Sequence, residues 1–360
     1  MKKFILTLFI ILVMPLTSFA KPVNLINVAF TIDNNYPIYT LLAINSILYN
    51  NYSSSNYHFY IVENNITDKN KKLMRSYVEN VNKSKLFDTK IDFIHIDTDT
   101  IDKGENLFAF SNRITPIAIA RIMLPDLLPK DVEKVIYLDG DILVTADLKD
   151  LYTIKLGRYP FGMAMNISQM GEALKDSNID LYYNSGVILM DLKRCRQTKT
   201  SERMLTYLNK NMDKFLYDNT DIKNNAGKFF YPDQDLINVV LDKEIKTIPQ
   251  RWNNQTISGV YMVELGSNSG SIIHYIGPNK PWNFNKPYNK VELLYMKYWD
   301  SSKYLKPYKY FYVYEKMKKE YFKLAKLKMK RYVSLFKNIR ERNEMPSVFS
   351  MFYVKPNIVN

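Results

Sequence analysis

Val135 to Thr145 reads VIYLDGDILVT, a β-branched and aromatic run that ends on two carboxylates one residue apart, Asp139 and Asp141. A continuous apolar run such as Val135-Ile136-Tyr137-Leu138 is the signature of a strand buried on both faces, as in parallel sheets. Gly140, between the acids, lets backbone and ligand approach closely. Open α/β sheets bind ligands at the carboxyl ends of their strands, which is where the triplet would lie. Two hard oxygen donors fixed at that point suit a divalent cation and, through it, an anionic substrate. The chain has two more D-x-D triplets, Asp97-Thr98-Asp99 and Asp233-Gln234-Asp235. Taken alone, each reads as a solvated turn or a helix cap. The strand ahead of Asp139 sets the middle one apart.

Upstream of the triplet the pattern alternates. Asn24 to Ile32 reads as a buried strand, Ile38 to Tyr49 as a helix, Tyr57 to Val62 as a strand, Asp68 to Val81 as a helix and Ile91 to Ile96 as a strand. A helix over Ile114 to Leu128, ending near Pro129, then delivers the chain to Val135. This alternation predicts an α/β domain: a mainly parallel, twisted Rossmann-like sheet with right-handed crossovers, flanked by helices. Further strands are expected at Phe161 to Met165, Val187 to Met190, Ile245 to Ile248 and Ser271 to Tyr275, with helices over Ser201 to Phe215 and Asp233 to Leu241. Neither G-x-G-x-x-G after the first strand nor G-x-x-x-x-G-K-[ST] occurs, so a bound phosphate would need a metal to neutralise it.

The ends differ from the middle in composition. Met1-Lys2-Lys3, the apolar stretch Phe4 to Leu16 and Ser18-Phe19-Ala20 read as an export signal over residues 1–20, followed by a domain over 21–290. The apolar stretch is shorter than the roughly 20 residues of a membrane span, so cleavage is expected rather than a permanent anchor. Cys195 is the only cysteine, which excludes an intramolecular disulfide. The net charge is +14, and Val291 to Met345 holds fifteen Lys/Arg against six Asp/Glu. Within that 291–360 extension, Phe322, Ala325, Met329, Tyr332, Val333, Phe336 and Ile339 share one helical face, interleaved with Lys323, Lys326, Lys328, Lys330 and Lys337. The pattern fits a helix lying on an anionic membrane surface, or an amphipathic helix packed on the domain with a solvated lysine face. No nucleic-acid motif accompanies the charge, so nucleic acid is not an expected partner.

A cation on Asp139 and Asp141 needs a third donor. Of the three histidines, His58 and His95 fall in expected strands and read as packed or edge residues. His274 opens the run His274-Tyr275-Ile276-Gly277-Pro278-Asn279-Lys280-Pro281-Trp282, which joins an imidazole, a glycine turn, a cation and an aromatic. Imidazole suits Mn²⁺ better than Mg²⁺, and an ammonium can pair with a phosphate oxygen.

At this point the chain resembles glycosyltransferase family 8 from about Asn27 to Trp282. The ordered motifs are Phe30-Thr31-Ile32-Asp33-Asn34-Asn35-Tyr36, Arg121, Tyr137-Leu138-Asp139-Gly140-Asp141, Tyr183-Asn184-Ser185-Gly186-Val187, Asp233-Gln234-Asp235 and the run from His274. The resemblance implies a GT-A fold, a UDP-hexose donor, a glycan or glycolipid acceptor, and Mn²⁺, with Mg²⁺ as the alternative, held by Asp139, Asp141 and His274. It implies a donor site of Thr31, Asp33, Asn35, Tyr36, Arg121, Asp139, Gly140, Asn166, Asn184, Gly277 and Lys280. In it Asp33, Asn35 and Tyr36 would take the uridine, and Lys280 and the backbone at Gly277 the diphosphate. Asp233 and Gln234 would meet the sugar as the catalytic pair. Asn166 departs from the aspartate that bacterial members often carry there, which leaves galactose and glucose both open. Two rivals remain: a haloacid-dehalogenase-type phosphohydrolase with Asp139 as nucleophile, and a sugar-binding protein without catalysis. The first wants Thr or Val two residues after the second aspartate, where this chain has Leu143.

Overall fold

The computed structural model describes residues 25–84, 86–96, 116–167, 179, 181–215, 231–257, 260–261, 270–277, 280–283, 290–309 and positions 323, 326, 329 and 330. The expected export signal, the Asp97-Thr98-Asp99 triplet and nearly all of the basic tail lie outside them. The chain divides into two compact units, Met1–Lys280 and Pro281–Asn360.

The first unit opens with the expected alternation. It runs β1 (Leu25–Asp33), α1 (Pro37–Tyr49), β2 (Asn56–Asn64), α2 (Asp68–Asn82), β3 (Thr89–His95), α3 (Pro116–Leu127) and β4 (Lys134–Leu138). There follow β5 (Ile142–Val144), α4 (Leu148–Tyr152), β6 (Phe161–Met165), β7 (Tyr183–Asp191), α5 (Leu192–Gln197), α6 (Thr200–Lys210) and α7 (Met212–Phe215). The unit continues with α8 (Pro232–Val240), β8 (Ile245–Thr247), β9 (Asn254–Ile257), β10 (Val260–Tyr261) and β11 (Ile272–His274). Seven strands form one sheet in the order β3-β2-β1-β4-β7-β6-β8, and four form a second in the order β10-β9-β11-β5. The main sheet is parallel except at β7, which runs against both β4 and β6. The chain builds outward from β1 to β3 and then returns to place β4 on the other side of β1. The gap between the ends of β1 and β4 is therefore a topological switch point, where open α/β sheets bind ligands.

Local chemistry explains where the observed elements depart from the expected ones. The helix expected over Ser201 to Phe215 breaks at Asn211, whose side chain donates to the Tyr207 carbonyl (2.9 Å) and so competes with the next helical turn. β7 begins at Tyr183 rather than Val187 because the Asn238 side chain accepts from Tyr183 N–H at 2.7 Å and extends the pairing into a polar stretch. Of the thirteen residues of α1, ten are buried. Such a helix needs cover on several sides, and the second sheet supplies part of it: Ser46 Oγ accepts from Val144 N–H (2.9 Å) and Asn50 Nδ2 donates to Val144 O (3.0 Å).

The loop that carries the chain from α3 into β4 is held by one side chain. Arg196 donates to the carbonyls of Pro125 (2.7 Å), Lys130 (3.0 Å), Val132 (2.9 Å), Leu128 (3.3 Å) and Pro129 (3.0 Å). Five carbonyls around one planar guanidinium is a geometry lysine cannot reproduce. Arg196→Ala should lower unfolding stability by about 2–3 kcal/mol, read as a fall in the urea midpoint. Arg196→Lys should recover only part of the loss.

Glu63 ends β2 as a buried carboxylate, bonded to Lys71 Nζ (2.6 Å), His95 Nδ1 (3.1 Å) and Ile66 N–H (2.9 Å). Burial alone would raise its carboxyl, but Lys71, the Ile66 amide and His95 outweigh it and hold the group below the ordinary glutamate value. A depressed folded-state value gives stability that is complete above the unfolded value, near 4.3, and is lost as pH falls through the folded one. The melting temperature of Glu63→Gln should therefore fall less steeply than wild type between about pH 5 and pH 3.

In the second unit Trp282 packs 5.5 Å from Tyr295, ring centre to ring centre. Trp299 meets Tyr295 edge-on, and its indole donates to Leu305 O at 3.0 Å. This aromatic cluster anchors α9 (Lys290–Ser301). Among the described residues no helix is long and apolar enough to cross a membrane.

Candidate active site

Thr31 and Asp33 from the end of β1 and Tyr36 at the start of α1 face Arg121 from α3 and the Asp139-Gly140-Asp141 turn after β4 across a cavity of about 200 Å³. Gly140 keeps the turn close-packed: a methyl group would sit 3.0 Å from the Tyr36 ring and 3.2 Å from Thr40 Oγ1, and both would have to shift by a few tenths of an ångström. Burial first, then the carboxylates of Asp141, Asp139 and Asp33, push the Tyr36 phenol up to about 12, so it stays protonated.

The triplet is bonded at both ends. Asp139 N–H donates to Gly186 O in β7 (2.9 Å), and Asp141 O accepts from Tyr275 N–H (3.0 Å) beyond β11. β11 pairs antiparallel with β5 so that His274 lies opposite Ile142, the residue after Asp141. That register puts His274 Nε2 3.3 Å from Asp141 Oδ1 and 3.6 Å from Asp139 Oδ2. One ligand atom from each of the three residues lies within 4.8 Å of the others, a group able to hold a metal ion. The fit is chemical as well as spatial. Asp141 is buried and its Oδ1 accepts no hydrogen bond, a cost that a cation would remove. Burial alone would raise the Asp141 carboxyl, but His274 and Lys280 hold it well below the usual carboxylate range, so it is ionised and ready to ligate.

Around this group the charges are paired. Lys280 donates to Asp141 Oδ2 and to Tyr275 O (2.6 Å). The Tyr137 hydroxyl donates to Asp139 Oδ1 and lies 3.2 Å from Thr31 Oγ1. Arg121 is no surface charge: its guanidinium lies 3.2 Å from Asp139 and 3.0 Å from Asp233, and stacks over the Tyr137 ring. Burial would weaken its hold on the proton, but Asp139 and Asp233 raise its pKa still further. Asp233 lies inside the first turn of α8 and is not its N-cap, which is Tyr231. Its carboxylate takes Arg121 and the Ser185 hydroxyl (3.0 Å).

Beside Arg121 lies a cluster of amides. Gln234 Oε1 accepts from Asn184 Nδ2 (2.9 Å) and Ser185 N–H (3.0 Å), and Asn166 Oδ1 accepts from Asn184 Nδ2 (3.2 Å). Thus Asn166, Asn184, Asp233 and Gln234 adjoin one another and connect through Arg121 to the metal-type group. Two of the expected donor residues stand apart from this network. Asn35 is exposed and donates from its N–H and side chain to Asp33 (2.8 and 3.1 Å), closing a local turn. Gly277 is exposed at φ +80°, a turn position that favours glycine. His58 and His95 bond to Asp92 and Glu63, as packed and edge residues do.

Three contributors escaped the sequence reading. Asn253 accepts from His274 Nδ1 (3.0 Å), Gln255 bonds Met165 O (2.9 Å) and Ile167 N–H (3.2 Å), and Tyr182 receives Gln234 Nε2 (2.9 Å). The trace of Asn253 and Gln255 in the sequence is a polar run, Asn253-Asn254-Gln255, whose members are all buried; Tyr182 has none.

A mostly parallel α/β sheet with a carboxylate–carboxylate–imidazole group at its switch point has its ligand site where open α/β sheets bind ligands, and solved glycosyltransferases of GT-A architecture share the fold. Residues 27–286 match glycosyl transferase family 8, and the chain belongs to that family. General stress protein A of Bacillus subtilis (strain 168) is 26% identical over 284 residues, covering 74% of this chain and 91% of that protein. Lipopolysaccharide 1,2-glucosyltransferase of Escherichia coli (strain K12) is 27% identical over 271 residues, 72% of this chain and 73% of that protein. The structure of the galactosyltransferase LgtC with donor and acceptor sugar analogs superposes with a TM-score of 0.61 at 21% identity, covering 77% of this chain and 96% of that one. Family membership decides for a glycosyltransferase against the phosphohydrolase and the non-catalytic sugar binder.

Proposed function

We propose that the chain transfers a hexose, glucose or galactose, from a UDP-sugar to a glycan or glycolipid acceptor with retention of configuration. The observation that carries the metal-assisted reading is the buried, unsatisfied Asp141 Oδ1 facing His274 Nε2. Asp139, Asp141 and His274 would hold Mn²⁺, or Mg²⁺ as the alternative, the imidazole favouring the former. When bound, the ion supplies Lewis-acid stabilisation of the charge that develops on the departing diphosphate. The glucosyltransferase relative supports a hexose donor.

The remaining work falls to side chains. Tyr36 offers a neutral aromatic face to the base, and Asp33 an acceptor for its imide N–H. Lys280 stands 5 residues beyond Tyr275, whose carbonyl it already holds, and it would share its charge between Asp141 and a diphosphate oxygen. Arg121 bridges the carboxylates of Asp139 and Asp233 at 3.2 and 3.0 Å and fixes their positions beside the donor. Asp233 and Gln234 would take sugar hydroxyls, with Asn166 presenting an amide rather than a carboxylate to the same ring.

UDP release should be measured with a panel of UDP-sugars in Mn²⁺ and in EDTA. Turnover of UDP-glucose or UDP-galactose with Mn²⁺, lost in EDTA, is the expected result. Failure to bind or turn over any sugar nucleotide with metal present would sink the proposal. Residues 1–20 are proposed as an export signal, which N-terminal sequencing of the mature protein would check.

A further inference from the structure

We propose that Asn253 is a positioning residue: it fixes a proton on Nδ1 of His274 and thereby turns the Nε2 lone pair toward Asp139 and Asp141. The consequence for metal affinity rests on the metal-assisted reading above; the proton assignment does not.

The polarity of the hydrogen-bond chain leaves one solution. A backbone N–H can only donate. Ser185 N–H meets the Gln234 side chain at 3.0 Å, so that atom is the carbonyl oxygen and the Gln234 amino group faces Tyr182 Oη (2.9 Å). The Tyr182 hydroxyl in turn donates to the Asp235 carboxylate. Gly186 N–H meets the Asn184 side chain at 3.0 Å, so this atom is Oδ1, and the Asn184 amino group faces Gln234 Oε1 (2.9 Å). Asn253 approaches Asn184 Oδ1 at 2.7 Å, and an oxygen that only accepts obliges Asn253 to present its amino group there. The other end of the amide, Oδ1, then lies 3.0 Å from His274 Nδ1 and requires an N–H on that nitrogen. The orientations of all three amides follow from two backbone donors and do not depend on how oxygen and nitrogen were assigned.

Asn253 is fully buried and no water-filled route is needed to satisfy it; both ends of its amide are bonded within the protein. A ligating histidine whose second nitrogen donates to a fixed acceptor is held in one tautomer and one ring orientation, and loss of such a partner typically costs about 10–100-fold in metal affinity. The same amide joins His274 to Asn184 and so to Gln234. The sugar-side amides and the metal-side imidazole therefore form one proton-ordered unit.

The test uses the full chain and two substitutions. Asn253→Leu keeps the branching at Cγ, with a larger side chain, and removes both hydrogen bonds. Asn253→Asp keeps an acceptor against His274 Nδ1 but replaces the donor to Asn184 Oδ1 by a second acceptor oxygen and adds a negative charge. Mn²⁺ affinity is read by the paramagnetic signal of free Mn²⁺, without any sugar nucleotide. The expected result is a loss of about 10–100-fold for Asn253→Leu and a clearly smaller loss for Asn253→Asp, which keeps the acceptor for the Nδ1 proton. Equal losses in the two variants, or no loss in Asn253→Leu, would overturn the proposal. In parallel, ¹⁵N spectra of the imidazoles in the metal-free wild-type protein, assigned by His274→Gln, need separate only three histidines. His274 should carry a proton on Nδ1 whatever the state of Nε2; a bare Nδ1 beside a protonated Nε2 overturns the assignment even if neither Asn253 variant folds. If wild-type protein binds no Mn²⁺, the metal reading fails and the spectra still decide the role of Asn253.

Discussion

Asp141→Asn should reduce hexose transfer by at least about 10³-fold while leaving the fold intact, since a bound metal supplies several kcal/mol of charge stabilisation in such a site. One oxygen of Asp141 takes the Lys280 ammonium and the other is the unsatisfied atom facing His274. An asparagine amino group cannot face Lys280 without repulsion, so it should turn toward His274 Nε2 and donate to its lone pair. The substitution would then plug the cation position with an N–H and keep its neighbours in place. Circular dichroism and melting in EDTA should match wild type closely. Wild-type protein should gain about 2.7 kcal/mol of stability when Mn²⁺ is raised to a hundred times its dissociation constant, and the variant none. Metal-stimulated transfer within tenfold of wild type would refute the assignment of Asp141.

Gly186→Ala should damage both stability and activity, although the substitution adds only one methyl group in the middle of a strand. A methyl there would stand 2.1 Å from His274 Cε1, 2.6 Å from Nδ1 and 2.9 Å from Nε2. The imidazole cannot yield without giving up Asn253, the two carboxylates or its place in β11. Overpacking of this kind costs about 1–3 kcal/mol, and metal affinity should fall with it. The double variant Gly186→Ala/His274→Ala should recover most of the folding stability and none of the transfer, because the added methyl then occupies space the ring has left. A coupling energy near zero between the two substitutions, measured by urea unfolding, would show that Gly186 is not reserved for the imidazole.

The first half of the fold was legible because its elements are long and its period unambiguous. The expected bounds of β1, α1, β2 and α2 all fall within a residue or two of those observed. The second half carried weaker signals. β5 has three residues, too short for alternation to show; β11 was expected within Ser271 to Tyr275, but its pairing with β5 depends on a partner about 130 positions away in the chain. β7 was visible only from Val187, because its first residues are polar and buried by amide partners that no local pattern announces. The site followed the same division. Asp139, Asp141 and His274 were identifiable by ligand chemistry, whereas Asn253 and Tyr182 act solely through neighbours and have no signature until the chain is folded. Arg121 was legible as a motif residue, but its bridging of Asp139 and Asp233 was not.

The Asp139-Gly140-Asp141 turn is where the chain leaves the seven-stranded sheet and enters the four-stranded one, with β4 ending at Leu138 and β5 beginning at Ile142. Its first aspartate is tied by backbone to β7 and its second to the residue after β11. A cation on Asp139, Asp141 and His274 would therefore rivet the two sheets together at their shared hinge of chain, much as a crosslink does. Ion binding there would thus stabilise the junction of the two sheets, and loss of the ion would be felt first at that junction rather than in the body of the larger sheet.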